Sequence, residues 1–311
     1  MRRNRSLTIL LILAMGLLST PAGAKYYKRA GGGHKNNDSY HFGYINGGVG
    51  YTSLDCGVPD LKVTGSVGGF VGIGYEFRNN GFWLSVGPQL GFHRSEVSMD
   101  QYTEDRRGYD TQGKSITLHY TINERDQQEW QFIEIPVLIG WYFHGFHIGA
   151  GPKLSYSINS TVTASGQYEV SATNDLYGIE FKDMPEHGYT TYDFSCKHQA
   201  TLRPAISLVG EIGYDVLSSV PTRSQLCHIL RVSFYFEYGL SNMVVPSSSN
   251  TRISVNPQDA TQVDVYPYFA SGMTESYRVV PYFTGVKITY LLGGSKHARA
   301  GGFHKGCQCY N

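Results

Sequence analysis

The stretch Trp130 to Ile158, WQFIEIPVLIGWYFHGFHIGAGPKLSYSI, constrains the fold more than any other part of the chain. It reads as two strands joined by a minimal turn at His144-Gly145. On the first strand Ile133, Ile135, Val137, Ile139, Trp141 and Phe143 share one face, and Glu134, Pro136, Leu138, Gly140 and Tyr142 the other. On the second, Phe146, Ile148, Ala150, Leu154, Tyr156 and Ile158 alternate with His147, Gly149, Gly151, Lys153, Ser155 and Ser157. Period-two alternation over such a length exceeds the usual strand of about 5–6 residues. One face is apolar and ends in aromatics; the other is small, polar or charged. A soluble sandwich alternates too, but with shorter strands and a polar face turned to water. Long alternating strands with aromatic ends suit a barrel wall with lipid outside and a polar lumen inside.

The N-terminus agrees. Arg2, Arg3 and Arg5, then the apolar run Leu7 to Leu18, then Ala22-Gly23-Ala24 have the layout of a secretory signal peptide over 1–24. Its apolar run is too short for a retained membrane helix, and no later run is long enough. That excludes a helical membrane protein and leaves a barrel, whose signal per segment is weak. The 37 glycines, 24 tyrosines and 15 phenylalanines fit twisted strands and interfacial girdles. A net charge of +1 argues against nucleic acid as a partner.

Residues 25–39 are polar and Gly-rich and read as a flexible segment. Eight strands follow, over about Tyr40–Thr52, Thr64–Arg78, Phe82–Val97, Trp130–Phe143, Phe146–Ile158, Ala200–Val216, Leu230–Leu240 and Val279–Leu292. Asn79-Asn80-Gly81 is a hairpin signal. The connections alternate in length. Asn79–Gly81, His144–Gly145 and Leu217–His228 are short; Ser98–Glu129, Asn159–Gln199 and Met243–Arg278 read as long polar loops, the first with a short extended piece near Ile116–Ile122. Short turns on one side and long loops on the other are the topology of an outer-membrane barrel with both termini inside. The expected fold is therefore all-β: an eight-stranded antiparallel transmembrane barrel over 40–292, in the outer membrane of a Gram-negative cell envelope. A periplasmic tail spans 293–311. Pro88, Pro136, Pro152, Pro204 and Pro281 fall inside these strands, where each removes a ladder donor, so bulges are expected beside them. Gly87-Pro88-Gln89-Leu90-Gly91-Phe92 and Gly151-Pro152-Lys153-Leu154-Ser155-Tyr156 echo each other, as if one hairpin were reused.

Phe132-Ile133-Glu134-Ile135-Pro136 and Gly149-Ala150-Gly151-Pro152-Lys153-Leu154 carry a resemblance. Over about Trp130 to Ser157 the chain resembles the PorT-like outer-membrane β-barrel proteins of Bacteroidota. The resemblance implies an eight-stranded outer-membrane barrel, and some members of that family serve protein secretion.

The inward face collects Glu76, Glu134, Glu211, Asp215 and Glu237 with Lys153, Arg231 and Lys287, and Arg78 beside them. An eight-stranded barrel is only wide enough for side chains to fill, so these charges must pair. The plain reading is a structural salt-bridge plug; the alternatives are a proton or ion path, or a catalytic carboxylate. A lipid-modifying enzyme needs a hydroxyl, a histidine and an acid together. His93 with Ser95 and His147 with Ser155 share faces, but no third partner is marked. Five cysteines leave at least one unpaired. Cys56 and Cys196 fall on the external side, where a loop disulfide is compatible with an oxidising compartment. Cys227, Cys307 and Cys309 fall inside, and Cys307-Gln308-Cys309 is a weak soft-metal signal in a flexible tail. Tyr168, Tyr177, Tyr189, Tyr192 and Phe194, with Tyr266, Tyr268, Phe269 and Tyr277, either form a recognition surface or pack on one another. The reading is thus a non-enzymatic scaffold or recognition protein, with no cofactor and no assigned metal. Its partners are outer-membrane lipid and a protein met by the external loops. A lipid-modifying enzyme and a small channel are the alternatives.

Overall fold

The computed structural model describes residues 39–57, 61–79, 81–109, 113–219, 227–245, 253–256, 259–268 and 278–295. The expected signal peptide over 1–24, most of the 25–39 segment and the Cys307-Gln308-Cys309 tail lie outside them. Eight positions close into a ring by antiparallel pairing. In order these are β1 (Ser39–Cys56), β2 (Leu61–Asn79), β3 (Phe82–Val86) continued by β4 (Gln89–Tyr109), β5 (Ser115–Phe143), β6 (Phe146–Asn174), β9 (Ala205–Ser219), β10 (Cys227–Gly239) and β13 (Val279–Ser295). β13 returns to β1 from Tyr40↔Ser295 to Cys56↔Val279, so the ring has no edge within the membrane. The turn at His144 (φ 48°) and Gly145 (φ 82°) has positive φ at both central residues, the geometry that matches strand twist.

The outer wall is apolar. Ile45, Val49, Val71, Ile73, Leu90, Ile139, Ile148, Leu154, Leu208, Ile212, Phe234, Val286 and Ile288 are all exposed on it. Tyr75, Phe82, Trp141, Phe143, Phe146, Tyr214 and Tyr290 ring its periplasmic end, and Tyr51, Phe92 and Tyr156 its external end. These two girdles bracket the span expected in lipid.

Beyond the external girdle the strands do not stop. β5 and β6 each run 29 residues, whereas crossing the membrane takes about 9–11. Ser98–Glu129 and Asn159–Gln199 are therefore not loops. The first is the paired ends of β4 and β5, from Met99↔Glu124 to Tyr109↔Ser115. The second is the end of β6, which pairs with β7 (Glu180–Phe181) and β8 (Thr191–Gln199). Polarity inverts where β5 leaves the membrane. From Gln131 to Phe143 its outward residues are mostly apolar; from Ser115 to Glu129 the same parity carries Thr117, His119, Thr121, Asn123, Arg125 and Gln127. The inward parity then becomes Ile116, Leu118, Tyr120 and Ile122, all buried.

β6 reaches the same end by another route. Ile158 has no partner on β5, because the register steps from Gln131↔Asn159 to Phe132↔Ser157. Such a one-residue bulge moves every later side chain to the other face. Even residues point to lipid before it, and Val162, Ala164, Tyr168, Val170 and Ala172 point inward after it. Onto this inner face packs a hairpin, β11 (Ile253–Asn256) and β12 (Asp259–Val265). Ile253 and Val265 are buried, with Val255 and Val263 against them. The external part of the protein is thus a two-layer β-structure with its own core.

Other boundaries shift as well. The sixth barrel strand begins at Ala205 rather than Ala200; Leu202 instead bridges to Val244, and Pro204 lies outside the strand. The last strand continues past Leu292 to Ser295. The register shifts fall at Gly65/Gly69, Met99/Tyr102, Gln131/Phe132, Leu230/Arg231 and Val255/Asn256, not at the prolines. Gly87-Pro88 interrupts a strand between β3 and β4. Pro152 and Pro281 keep register with Leu208 and Leu54. A missing donor opens a gap in a ladder but does not require an inserted residue.

Candidate functional site

The lumen is filled in layers. At the periplasmic end Phe42, Tyr44, Ile229 and Leu291 form an apolar floor, with Tyr40 against it. Above it, Arg231 joins strands across the interior. Its Nη1 and Nη2 donate to Glu76 Oε2 and Oε1 at 2.8 and 3.0 Å, and its Nε donates to Asp215 Oδ1 at 2.9 Å. Arg78 binds the same two carboxylates, from Nε to Glu76 at 2.7 Å and from Nη1 to Asp215 at 3.1 Å. Two guanidinium groups against two carboxylates make a balanced, fork-matched set.

A second group centres on Glu211. Lys287 Nζ donates to its Oε2 at 2.8 Å, while His147 Nε2 and Ser233 Oγ donate to its Oε1 at 3.0 and 2.7 Å. Phe70, Trp83, Leu138, Tyr235 and Phe283 pack through the middle of the lumen. Arg231 lies 5.8 Å from the Trp83 ring and Lys287 Nζ 5.6 Å from the Tyr235 ring, so cations and rings interleave.

The third group is Glu134, Lys153 and Glu237. Lys153 Nζ donates to Glu134 Oε1 at 2.7 Å and also to Glu237 Oε2. Gln89 Nε2 donates to Glu134 Oε2 at 2.7 Å, and His93 Nε2 lies 3.2 Å from Oε1. Gly91 makes this possible, because a Cβ there would meet the Glu134 carboxyl carbon at 2.7 Å. Over the top, Met243, Val244 and Tyr268 from the β10–β13 connection pack with Trp130, Phe132, Val162 and Val279 and close the mouth.

Glu76, Glu134, Lys153, Glu211, Asp215, Arg231, Glu237 and Lys287 therefore all lie in the lumen, in three separate groups. The pairing partners follow from which strands face each other across the ring, which local alternation does not encode. His147 was legible as an inward residue and His93 only as sharing a face with Ser95; the carboxylate partner of neither was.

None of this geometry activates a nucleophile. A triad needs its acid on one imidazole nitrogen and its hydroxyl on the other. Here Glu211 and Ser233 both approach Nε2 of His147, and the Ser233 hydroxyl donates to the carboxylate. His93 faces the lumen rather than lipid, and Ser95 donates to Gln128 at 2.9 Å. Ser155 is buried too, but no contact joins it to His147. Donor atoms of His93, Glu134 and Glu237 lie within 4.8 Å of one another. The Lys153 ammonium already bridges the two carboxylates, so this donor set does not fit a cation.

Cys56 and Cys196 are free thiols, not a disulfide. Cys56 ends β1 opposite Val279, whereas Cys196 sits in mid-β8 opposite Ala164 and donates to the Val265 carbonyl at 3.1 Å. The two strands are not neighbours, so the thiols never meet. Among the external aromatics, Tyr168 stacks on Tyr192 at 5.3 Å and meets Phe194 at 6.2 Å, and Phe181 stacks on Tyr189 at 6.1 Å. His198 and Tyr266 rings lie 5.4 Å apart. These rings build the external core; Tyr177 is exposed, and Phe269 and Tyr277 lie outside the described residues.

A closed eight-stranded ring with a lipid-facing apolar wall, aromatic girdles and a packed lumen defines an outer-membrane β-barrel protein. The outer membrane protein beta-barrel domain family matches residues 15–245, and the chain belongs to that family. Among curated proteins none matches in sequence. A solved structure of Ail, the attachment invasion locus protein of Yersinia pestis, in complex with the heparin analogue sucrose octasulfate, is 9% identical to the chain. It is matched over 81% of this chain and 99% of its own length with a TM-score of 0.25, a superposition too loose to assign anything further.

Proposed function

We propose that this protein is a non-enzymatic, non-conducting outer-membrane anchor for an external recognition module. One observation carries the reading: the outward parity of β5 turns polar beyond Gln131 and its inward parity turns apolar from Ile122, so a two-layer β-structure with its own core stands above a barrel whose lumen is filled with paired charge and closed at the mouth. A channel needs an open path and an enzyme needs an activated group. A module raised on three barrel strands, β4, β5 and β6, serves neither purpose, but it places a rigid polar face outside the cell, where a partner is met. The N-terminal signal sequence, cleaved after Ala24, delivers the chain to the envelope. The resemblance to PorT-like proteins adds that the partner belongs to surface display or secretion.

The test is a pull-down from native outer membranes with the intact chain and with a variant whose β4–β5 and β6–β8 extensions are replaced by short turns. The trimmed barrel is expected to stay heat-modifiable and to lose its partner. Unchanged capture by the trimmed barrel overturns the reading. So does a changed lipid A or phospholipid profile, read by mass spectrometry, in His93→Ala or His147→Ala cells.

A further inference from the structure

β8 is the exposed side of the external module. Among the described residues it pairs with β6 alone, from Thr161↔Gln199 to Glu169↔Thr191. The direction of its other hydrogen-bonding groups follows from that ladder. The Ala200 N–H donates to Ser160 O at 2.9 Å and the Val170 N–H to Thr190 O at 3.0 Å, so even-numbered residues spend their backbone groups on β6. In an antiparallel ladder the alternate residues point theirs the other way. The N–H and C=O groups of Asp193, Ser195 and Lys197 therefore face outward along an edge that no other described strand pairs with.

That edge borders a cleft of ≈ 480 Å³ between β8 and β12. Asp193, Ser195 and Cys196 line one side; Val263, Asp264 and Tyr266 line the other. Residues of both parities contribute on each strand, so the cleft runs along the strands rather than over a side-chain face. Its floor is the Cys196 Sγ contact to the Val265 carbonyl. Its lips carry the exposed carboxylates of Asp193 and Asp264, and Lys197 is not part of the lining. Gln167 Nε2 donates to Asp193 Oδ1 at 2.9 Å, which fixes that carboxylate in place.

We propose that this cleft takes an extended, basic peptide segment of a partner protein, added as a strand to that edge of β8. Backbone groups spaced two residues apart recognise a strand and nothing else so regularly, and side-chain pockets on alternate positions then select it. The two carboxylates on the lips select lysine or arginine at the positions facing them. The proposal rests on the recognition module described above and names the chemistry of what it binds.

The probe is an eight-residue peptide of alternating valine and threonine with two lysines, tested with the refolded full chain in detergent micelles and compared with its glutamate counterpart. The lysine peptide is expected to bind in a salt-dependent way and the glutamate peptide about tenfold or more weaker. Ser195→Pro removes one edge N–H without touching the β6 ladder, a position where an edge strand tolerates proline. It should weaken binding about tenfold, and Asp193→Asn with Asp264→Asn should abolish the salt dependence. A second readout does not depend on the variants folding. Backbone N-methylation of the peptide at one set of alternate residues should abolish binding, and at the other set should spare it. Equal effects of both methylation phases, binding unchanged in Ser195→Pro, or binding of a glycan but not of the lysine peptide each overturn the proposal. If the trimmed barrel loses its native partner while Ser195→Pro binds normally, the module stands and this site falls.

Discussion

Single residues in the lumen hold several strands at once. Arg231, on β10, satisfies Glu76 on β2 and Asp215 on β9. Removing it leaves one guanidinium, Arg78, for the buried Glu76 and half-buried Asp215 carboxylates. Arg231→Ala is expected to cost about 3–5 kcal/mol, as breaking a buried ion pair does. Urea unfolding in detergent micelles measures it; a loss below about 1 kcal/mol means water enters and solvates the stranded carboxylates. Tyr120 gives a different signal, from outside the membrane-spanning part of β5. Burial pushes its phenol up from 10.0 to about 12. The folded module thus keeps the phenol neutral where the unfolded chain ionises it. The stabilisation is complete below pH 10 and is lost as pH rises from about 10 to 12. Limited proteolysis across that range should show the external module opening before the barrel does, and Tyr120→Phe should shift the opening to higher pH.

At the scale of elements, the bulge at Ile158 sets which face of β6 is buried above the membrane. Deleting Ile158 removes the inserted residue and makes Phe132↔Ser157 and Gln131↔Asn159 consecutive pairs, so Val162, Ala164, Val170 and Ala172 keep facing the hairpin β11–β12. The expected outcome is a heat-modifiable barrel whose external module still resists protease, because the faces follow the pairing with β5. Ready cleavage of the module in that variant shows that the local bend of the bulge, and not the register alone, seats the module on the barrel. Ile122→Asp probes the same core from the other strand. It buries an unpaired carboxylate among Tyr120, Val170 and Ile253. It should destabilise the module and spare the barrel, as the same proteolysis assay will show.

Across the whole molecule, three ion-pair groups and three apolar layers fill the space inside the ring from floor to mouth. The non-conducting role proposed for the barrel predicts that planar bilayers containing the purified chain show no conductance above background. Steady single-channel steps from the wild type revive the channel reading. The division of labour also explains the unequal strands. β9 and β10, at 15 and 13 residues, serve the barrel alone, whereas β5 and β6 build barrel and module together.

Alternation in the sequence was enough to place the lipid-facing wall. Ile133 to Phe143 and Phe146 to Ile158 read correctly because period-two patterning is local and the membrane demands apolar residues on one parity. The same rule misread Ser98–Glu129 and Asn159–Gln199. There polar Thr117, Thr121 and Arg125 face outward, and a reader expecting lipid takes such residues for loop. Nothing local signals that the membrane has ended and a second apolar core has begun on the opposite parity. The identity of the inward charges was likewise legible, since Glu76, Glu134, Lys153 and Arg231 occupy the parity opposite the apolar face. Their partners were not. Arg231 meets Glu76 155 residues away because barrel closure brings β2 and β10 face to face across the lumen. Cys56 and Cys196 share an external location in the chain's topology, yet the fold places them on strands that never adjoin. Local chemistry determines which face of a strand is wet; only closure of the ring decides what each face meets.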